Sequence, residues 1–113
     1  GDQCLRDVAI ALTDAIEMPD ALLARYGGEE FAIVLPNSNR DMAVALGERL
    51  RVAIEAQTLP HAYVGSGRIT LSVGVAVADV RHDAAPASLI ARADAALYVA
   101  KRQGRNRVAF AEA

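Results

Sequence analysis

An α+β sandwich, with helices packed on a mostly antiparallel sheet, is the fold class the sequence predicts. Three features carry that expectation: apolar stripes at helical spacing, continuous apolar runs of strand length, and their order of helix, strand, strand, helix, strand, helix, strand. The 113 residues are 53% hydrophobic with only 4% aromatics and no Trp, so one core of small and branched aliphatic side chains is expected. There is no internal repeat, low-complexity tract or linker, and residues 1–113 read as a single domain.

Leu5, Val8, Ala9, Leu12, Ala15 and Ile16 recur at helical spacing until Met18-Pro19-Asp20 breaks the pattern. An amphipathic helix that begins almost at residue 1 suggests that chain is missing upstream. The runs Leu22-Leu23-Ala24-Arg25-Tyr26 and Phe31-Ala32-Ile33-Val34-Leu35 flank Gly27-Gly28-Glu29-Glu30, a pattern that reads as a hairpin of two strands inside the sheet. After the turn Pro36-Asn37-Ser38-Asn39, a second helix is expected to bury Met42, Ala45, Leu46, Leu50, Ala53 and Ile54. Glu48, Arg49, Arg51 and Glu55 fall on its other faces.

Residues 69–77 alternate large apolar side chains with small ones, a strand period, and Gly74 would let another element approach closely. Pro86 opens a third helix with the stripe Leu89, Ala93, Ala96, Leu97 and Ala100, although Ala85 before it is a poor cap. Gly104 ends that helix, and Arg107-Val108-Ala109-Phe110 reads as a last short strand.

No apolar run approaches the roughly 18 residues needed to cross a bilayer, and no signal or lipidation pattern opens the chain. A cytoplasmic domain without direct membrane insertion is expected. The single Cys4 excludes an internal disulfide and a cysteine zinc cluster, and its neighbours Leu5 and Val8 suggest that it packs as a small hydrophobe. The net charge of −2 offers no general attraction for nucleic acid. Lys101, Arg102, Arg105 and Arg107 form one basic segment, but it falls short of a groove-sized footprint and no aromatics interleave it.

Two glycines at a tight hairpin permit positive φ and bring bare backbone N–H groups close to whatever lies above, as a polyphosphate requires. The carboxylates Glu29 and Glu30 follow at once, and buried charge asks for a partner. A divalent cation shared with phosphate oxygens suits them, although strand alternation lets only one of the two easily reach a given metal. The plainer reading is a solvated hairpin tip whose glycines serve the turn.

Arg25-Tyr26-Gly27-Gly28-Glu29-Glu30-Phe31 resembles the signature of GGDEF-family diguanylate cyclases in its Glu-Glu variant. The resemblance extends to Ala93-Asp94-Ala95-Ala96-Leu97-Tyr98, Ala100-Lys101 and Gly104-Arg105-Asn106-Arg107-Val108, three separated motifs in order. It implies a nucleotidyl-cyclase, ferredoxin-like core and the condensation of two GTP into cyclic di-GMP, with a homodimer of facing domains. An upstream sensory domain and Mg²⁺ or Mn²⁺ are implied as well.

By the same resemblance Glu29 looks like the metal-binding carboxylate and Glu30 like its charged neighbour in the catalytic loop, while Gly27 and Gly28 leave room for phosphates. Asp2 looks like an acceptor for the guanine edge. Lys101 and Arg105, expected one helical turn apart at the end of the third helix, look like triphosphate ligands; the plainer reading is cations favoured at a helix C-terminus. Arg102 and Arg107 are expected to serve the solvated surface, and His61 and His82 show no ligand-like spacing.

Two departures stand out. The family's inhibitory Arg-x-x-Asp motif is replaced by Met18-Pro19-Asp20-Ala21, leaving Arg49 as the remnant of that site, so feedback inhibition is expected to be weak or absent. The family's first strand and the helix after it, with a metal-binding aspartate and a guanine-binding asparagine, would lie before Gly1, so residues 1–113 alone are expected to be inactive. The rival expectations are a non-catalytic GTP-binding regulatory or interaction module, and a related nucleotidyl cyclase or polymerase-like palm.

Overall fold

The structure, a computed structural model, describes residues 2–17, 22–27, 30–35, 38–57, 70–78 and 85–111, with the backbone alone at 2–5, 22–27, 30 and 57. Its elements follow the expected order: α1 (Asp2–Ala15), β1 (Leu22–Gly27), β2 (Glu30–Val34), α2 (Arg40–Gln57), β3 (Val73–Val75), α3 (Pro86–Arg102) and β4 (Val108–Phe110).

The central core lies between α1 and α2. Val8, Ala11 and Leu12 recur on one face of α1, and Leu46, Leu50 and Ile54 on one face of α2, each set at three- and four-residue spacing. Leu12, Leu50 and Ile54 are fully buried, each worth about 2 kcal/mol in apolar surface removed from water. Phe31, Ile33 and Leu35 of the β2 region and Leu71 pack against this cluster.

Helix α2 begins where it does because Asn39 caps it: the side-chain oxygen accepts the Met42 N–H at 2.9 Å, and the Asn39 carbonyl accepts the Ala43 N–H. Its buried face is rotated from the expected stripe. Met42 is 43% exposed and Ala45 lies open, whereas Ala43, Leu46, Gly47, Leu50 and Ile54 are buried. The rotation has a cause in Gly47, where an added Cβ would stand 3.2 Å from Val73 Cγ1 and 3.3 Å from Val108 Cγ1. The helix turns that small residue to the β3–β4 pair as well as its leucines to α1.

β1 and β2 form an antiparallel hairpin with Leu22 opposite Val34, Ala24 opposite Ala32 and Arg25 opposite Phe31. The expectation that both hairpin strands lie inside the sheet is not met by β2. Its Phe31 and Ile33 meet the helical core, but Val34 on the other face is 59% exposed, because among the described residues the helices cover one side only.

β3 and β4 pair in parallel, Val73 with Val108 and Val75 with Phe110, as a strand, helix and strand crossover requires. They lie between α2 on one face and α3 on the other. Gly74 does what its sequence position suggested: a Cβ there would lie 2.3 Å from both the Ala93 carbonyl oxygen and the Leu97 backbone nitrogen of α3. Ala96 and Ala100 complete that close contact as buried small residues. Arg92 secures the far end of the pair, donating to the carbonyls of Val77 at 3.0 Å and Ala111 at 3.4 Å. None of the described helices is long and apolar enough to cross a membrane.

Candidate functional site

The signature hairpin is closed in backbone by Gly27 opposite Glu30, with a register shift between Arg25 and Gly27. Such bulges sharpen local twist and re-aim side chains beside sites. Between the two strand ends stand Gly28 and Glu29, which lie outside the described residues, as do the side chains of Asp2 and Glu30. By donor chemistry, two carboxylates at a ladder's end fit a hard divalent cation. Met18-Pro19-Asp20-Ala21 also lie outside the described residues, and Arg49 meets Glu17 at 3.8 Å in an exposed pair.

The basic end of α3 is described in full. Ala85 precedes the helix in extended conformation without a side-chain cap, and Pro86 supplies the first turn, as expected. At the other end the Gly104 N–H donates to the Lys101 carbonyl and the Arg105 N–H to the Ala100 carbonyl at 3.0 Å, the paired hydrogen bonds of a Schellman stop. Gly104 has φ +125°, and Arg105 and Asn106 come next at +64° and +47°.

This corrects the expected placing of Lys101 and Arg105 on one helix. Lys101 sits half-buried in the last helical turn, whereas Arg105 lies beyond the end at Arg102, exposed, on a left-handed backbone. The reason is Gly104, which reverses the chain before a further turn can form. Left-handed non-glycine residues cost about 1–3 kcal/mol each and persist where surrounding structure over-determines them.

What holds this turn is a network that the sequence did not reveal. The Asn106 carboxamide accepts from Arg51 Nη1 at 3.0 Å and donates to Glu55, while its backbone N–H donates to Ser72 Oγ at 3.2 Å. Arg51 in turn is gripped by both carboxylate oxygens of Glu48 through Nε, and lies 3.8 Å from Glu55. Arg107 Nε donates to the Arg105 carbonyl at 3.2 Å, and Arg102 keeps to the surface beside the Tyr98 ring and hydroxyl. The sequence signal for Asn106 was its residue type two positions after Gly104, since Asn tolerates positive φ. Arg51 carried no signal beyond its polar helix face.

Hydrogen bonding to Arg51 holds the Glu48 carboxyl below its ordinary value of 4.5, and Glu48 in turn raises Arg51. A carboxyl depressed in the folded state stabilises the fold above its unfolded pKa, and that contribution is lost as pH falls through the folded value. Glu48→Gln is therefore expected to lower stability modestly at neutral pH, where that contribution is present, and to flatten the acid limb below about pH 4.5, where it is already being lost, as urea unfolding across that range would register.

The described residues that carry cations here differ in how they are used. Arg51 is committed to Glu48, Glu55 and Asn106, whereas the side chains of Lys101 and Arg105 have no carboxylate partner among the described residues.

Comparison with known proteins places this geometry. The family model for the diguanylate cyclase GGDEF domain matches residues 1–107. The diguanylate cyclase DosC of Escherichia coli is 40% identical over 108 residues, which are 96% of this chain and 23% of that protein. The GGDEF domain of DgcB from Caulobacter crescentus, solved in complex with c-di-GMP, superposes with a TM-score of 0.85 at 38% identity, covering 99% of this chain and 65% of that one. An active GGEEF domain of a diguanylate cyclase from Vibrio cholerae gives a TM-score of 0.76 at 33% identity over 99% of this chain and 69% of that one. The chain spans under a third of the length of the curated relatives it matches. On the match across residues 1–107, the chain belongs to the GGDEF-domain family of diguanylate cyclases.

Proposed function

We propose that this domain condenses two molecules of GTP into cyclic di-GMP, each of two facing copies in a homodimer holding one GTP. The observation that carries this reading is the family match over residues 1–107, which spans the glycine hairpin and the basic turn together. In each of two equivalent steps a 3′-oxygen attacks the α-phosphorus of the other nucleotide. The bond from that phosphorus to the bridging oxygen breaks, pyrophosphate leaves, and the hydroxyl proton is released. No covalent intermediate on the protein is required.

In this reading Glu29 holds the metal, Glu30 completes the catalytic loop, and Gly27 and Gly28 keep side chains away from the phosphates. Asp2 accepts from the guanine edge. Mg²⁺ or Mn²⁺, when bound, polarises phosphate oxygens and favours ionisation of the 3′-hydroxyl. Lys101 and Arg105 offset charge on the departing pyrophosphate, a role supported by their lack of internal carboxylate partners among the described residues. Replacing both with Ala is expected to raise the KM for GTP by about a hundredfold, two charge-assisted contacts being lost, as initial-rate kinetics would measure.

Residues 1–113 are the larger part of one domain in this proposal, completed by a strand and helix that precede Gly1. The observation that supports it is that the chain covers 65% of the DgcB chain. Residues 1–113 alone are then inactive, and with Arg49 the only remnant of the inhibitory site, product is expected not to inhibit strongly.

The test is pyrophosphate release from GTP by the full polypeptide, acting in the cytoplasm and governed by an upstream sensory domain. Release should rise more steeply than linearly with protein concentration, as a dimeric site requires, and ATP should give none. Tight GTP binding without pyrophosphate would instead make the domain a non-catalytic GTP-binding module.

A further inference from the structure

We infer that Asn106 is a positioning residue for the substrate's triphosphate, acting through Arg105; the inference rests on the function proposed above. Arg105 is an exposed cation on a left-handed backbone, φ +64°, a conformation that an arginine does not adopt by preference. Its direction is therefore set by its neighbour Asn106. That residue is anchored on three sides: Arg51 Nη1 donates to its side-chain oxygen, its side-chain nitrogen donates to Glu55, and its backbone N–H donates to Ser72 Oγ.

Those anchors belong to α2 and to the segment leading into β3, elements far from Asn106 in sequence. The turn is thus fixed against the body of the domain and not merely against α3. Arg51 is itself fixed, with Glu48 gripping it and its side chain only 18% exposed. The arrangement uses one guanidinium to hold the turn and leaves another, that of Arg105, open at its surface. A preorganised cation loses less freedom on meeting a phosphate than a mobile one.

The Schellman bonds alone would stop the helix at Gly104, but they do not fix Arg105 and Asn106 in successive positive-φ conformations. The carboxamide network does. Asn106→Gly removes the side-chain bonds while tolerating the backbone conformation, which separates loss of the clamp from loss of the turn.

The experiment measures the affinity of the full polypeptide for 3′-deoxy-GTP with Mg²⁺, a nucleotide that cannot condense because it lacks the attacking hydroxyl. Asn106→Gly is expected to weaken binding about tenfold in the natural background but less than about twofold when Arg105 is already Ala, since residues acting through one another are not additive. In turnover with GTP the same variant should raise KM and leave kcat within about threefold. Glu55→Ala, which removes one anchor from the surface of α2, should give a smaller loss with the same dependence on Arg105.

Equal losses in both Arg105 backgrounds, or no loss in either, would overturn the positioning role while leaving the cyclase reading intact. Failure of the unsubstituted protein to bind the nucleotide at all would overturn that reading and the inference with it.

Discussion

Glu29→Ala should lower cyclic di-GMP formation by about a thousandfold, equivalent to about 4 kcal/mol of transition-state stabilisation. Glu29 stands in the sequence between Gly27 and Glu30, on which the hairpin backbone closes, and in the proposed reading its carboxylate holds the metal. On that reading, a divalent cation at the site would lose a ligand in the Glu29→Ala protein and would offset less charge on the reacting phosphates. Lys101 and Arg105, the proposed triphosphate ligands, are untouched, so nucleotide affinity should change far less than turnover. Glu29→Asp keeps the carboxylate and restores the sequence after which the family is named, and should remain active. A Glu29→Ala protein with more than about a tenth of normal activity would place the metal on other groups.

The largest effect on stability is expected at Gly74. Its Cα faces α3 so closely that an added methyl would stand 2.3 Å from the Ala93 carbonyl oxygen and the Leu97 nitrogen. Both are backbone atoms of a continuous helix and cannot rotate aside, so strand and helix must separate. Gly74→Ala should therefore destabilise the fold by about 3 kcal/mol, the upper part of the range for overpacked cores. For a domain of this size that corresponds to a fall in Tm of about 12 °C. A loss below about 1 kcal/mol in urea unfolding would mean that α3 rides further from β3 than the backbone shows.

Gly74 also shows which parts of the fold were legible beforehand. A glycine in an alternating strand has few uses besides close approach, and Ala93, Ala96, Leu97 and Ala100 supplied the matching thin face of the helix. The α1 stripe was equally plain because Val8 and Leu12 recur on the one helix face that meets the core. The α2 stripe was misplaced because that helix serves two partners, α1 through its leucines and the β3–β4 pair through Gly47, and periodicity averages over both.

In β2 an unbroken apolar run concealed a strand with one covered face and an exposed Val34. The basic turn was harder still. Helical spacing set Lys101 and Arg105 side by side, but the Gly104 stop moves Arg105 off the helix. The anchor of that turn pairs Asn106 with Arg51, 55 residues away, and no local pattern reveals such a contact.

The most direct measurement is mass analysis of the products when the full polypeptide is incubated with GTP and Mg²⁺. Cyclic di-GMP formed with two pyrophosphates per molecule, and abolished by Glu29→Ala, is the expected result. GTP recovered intact from a protein that binds it would contradict the cyclase assignment.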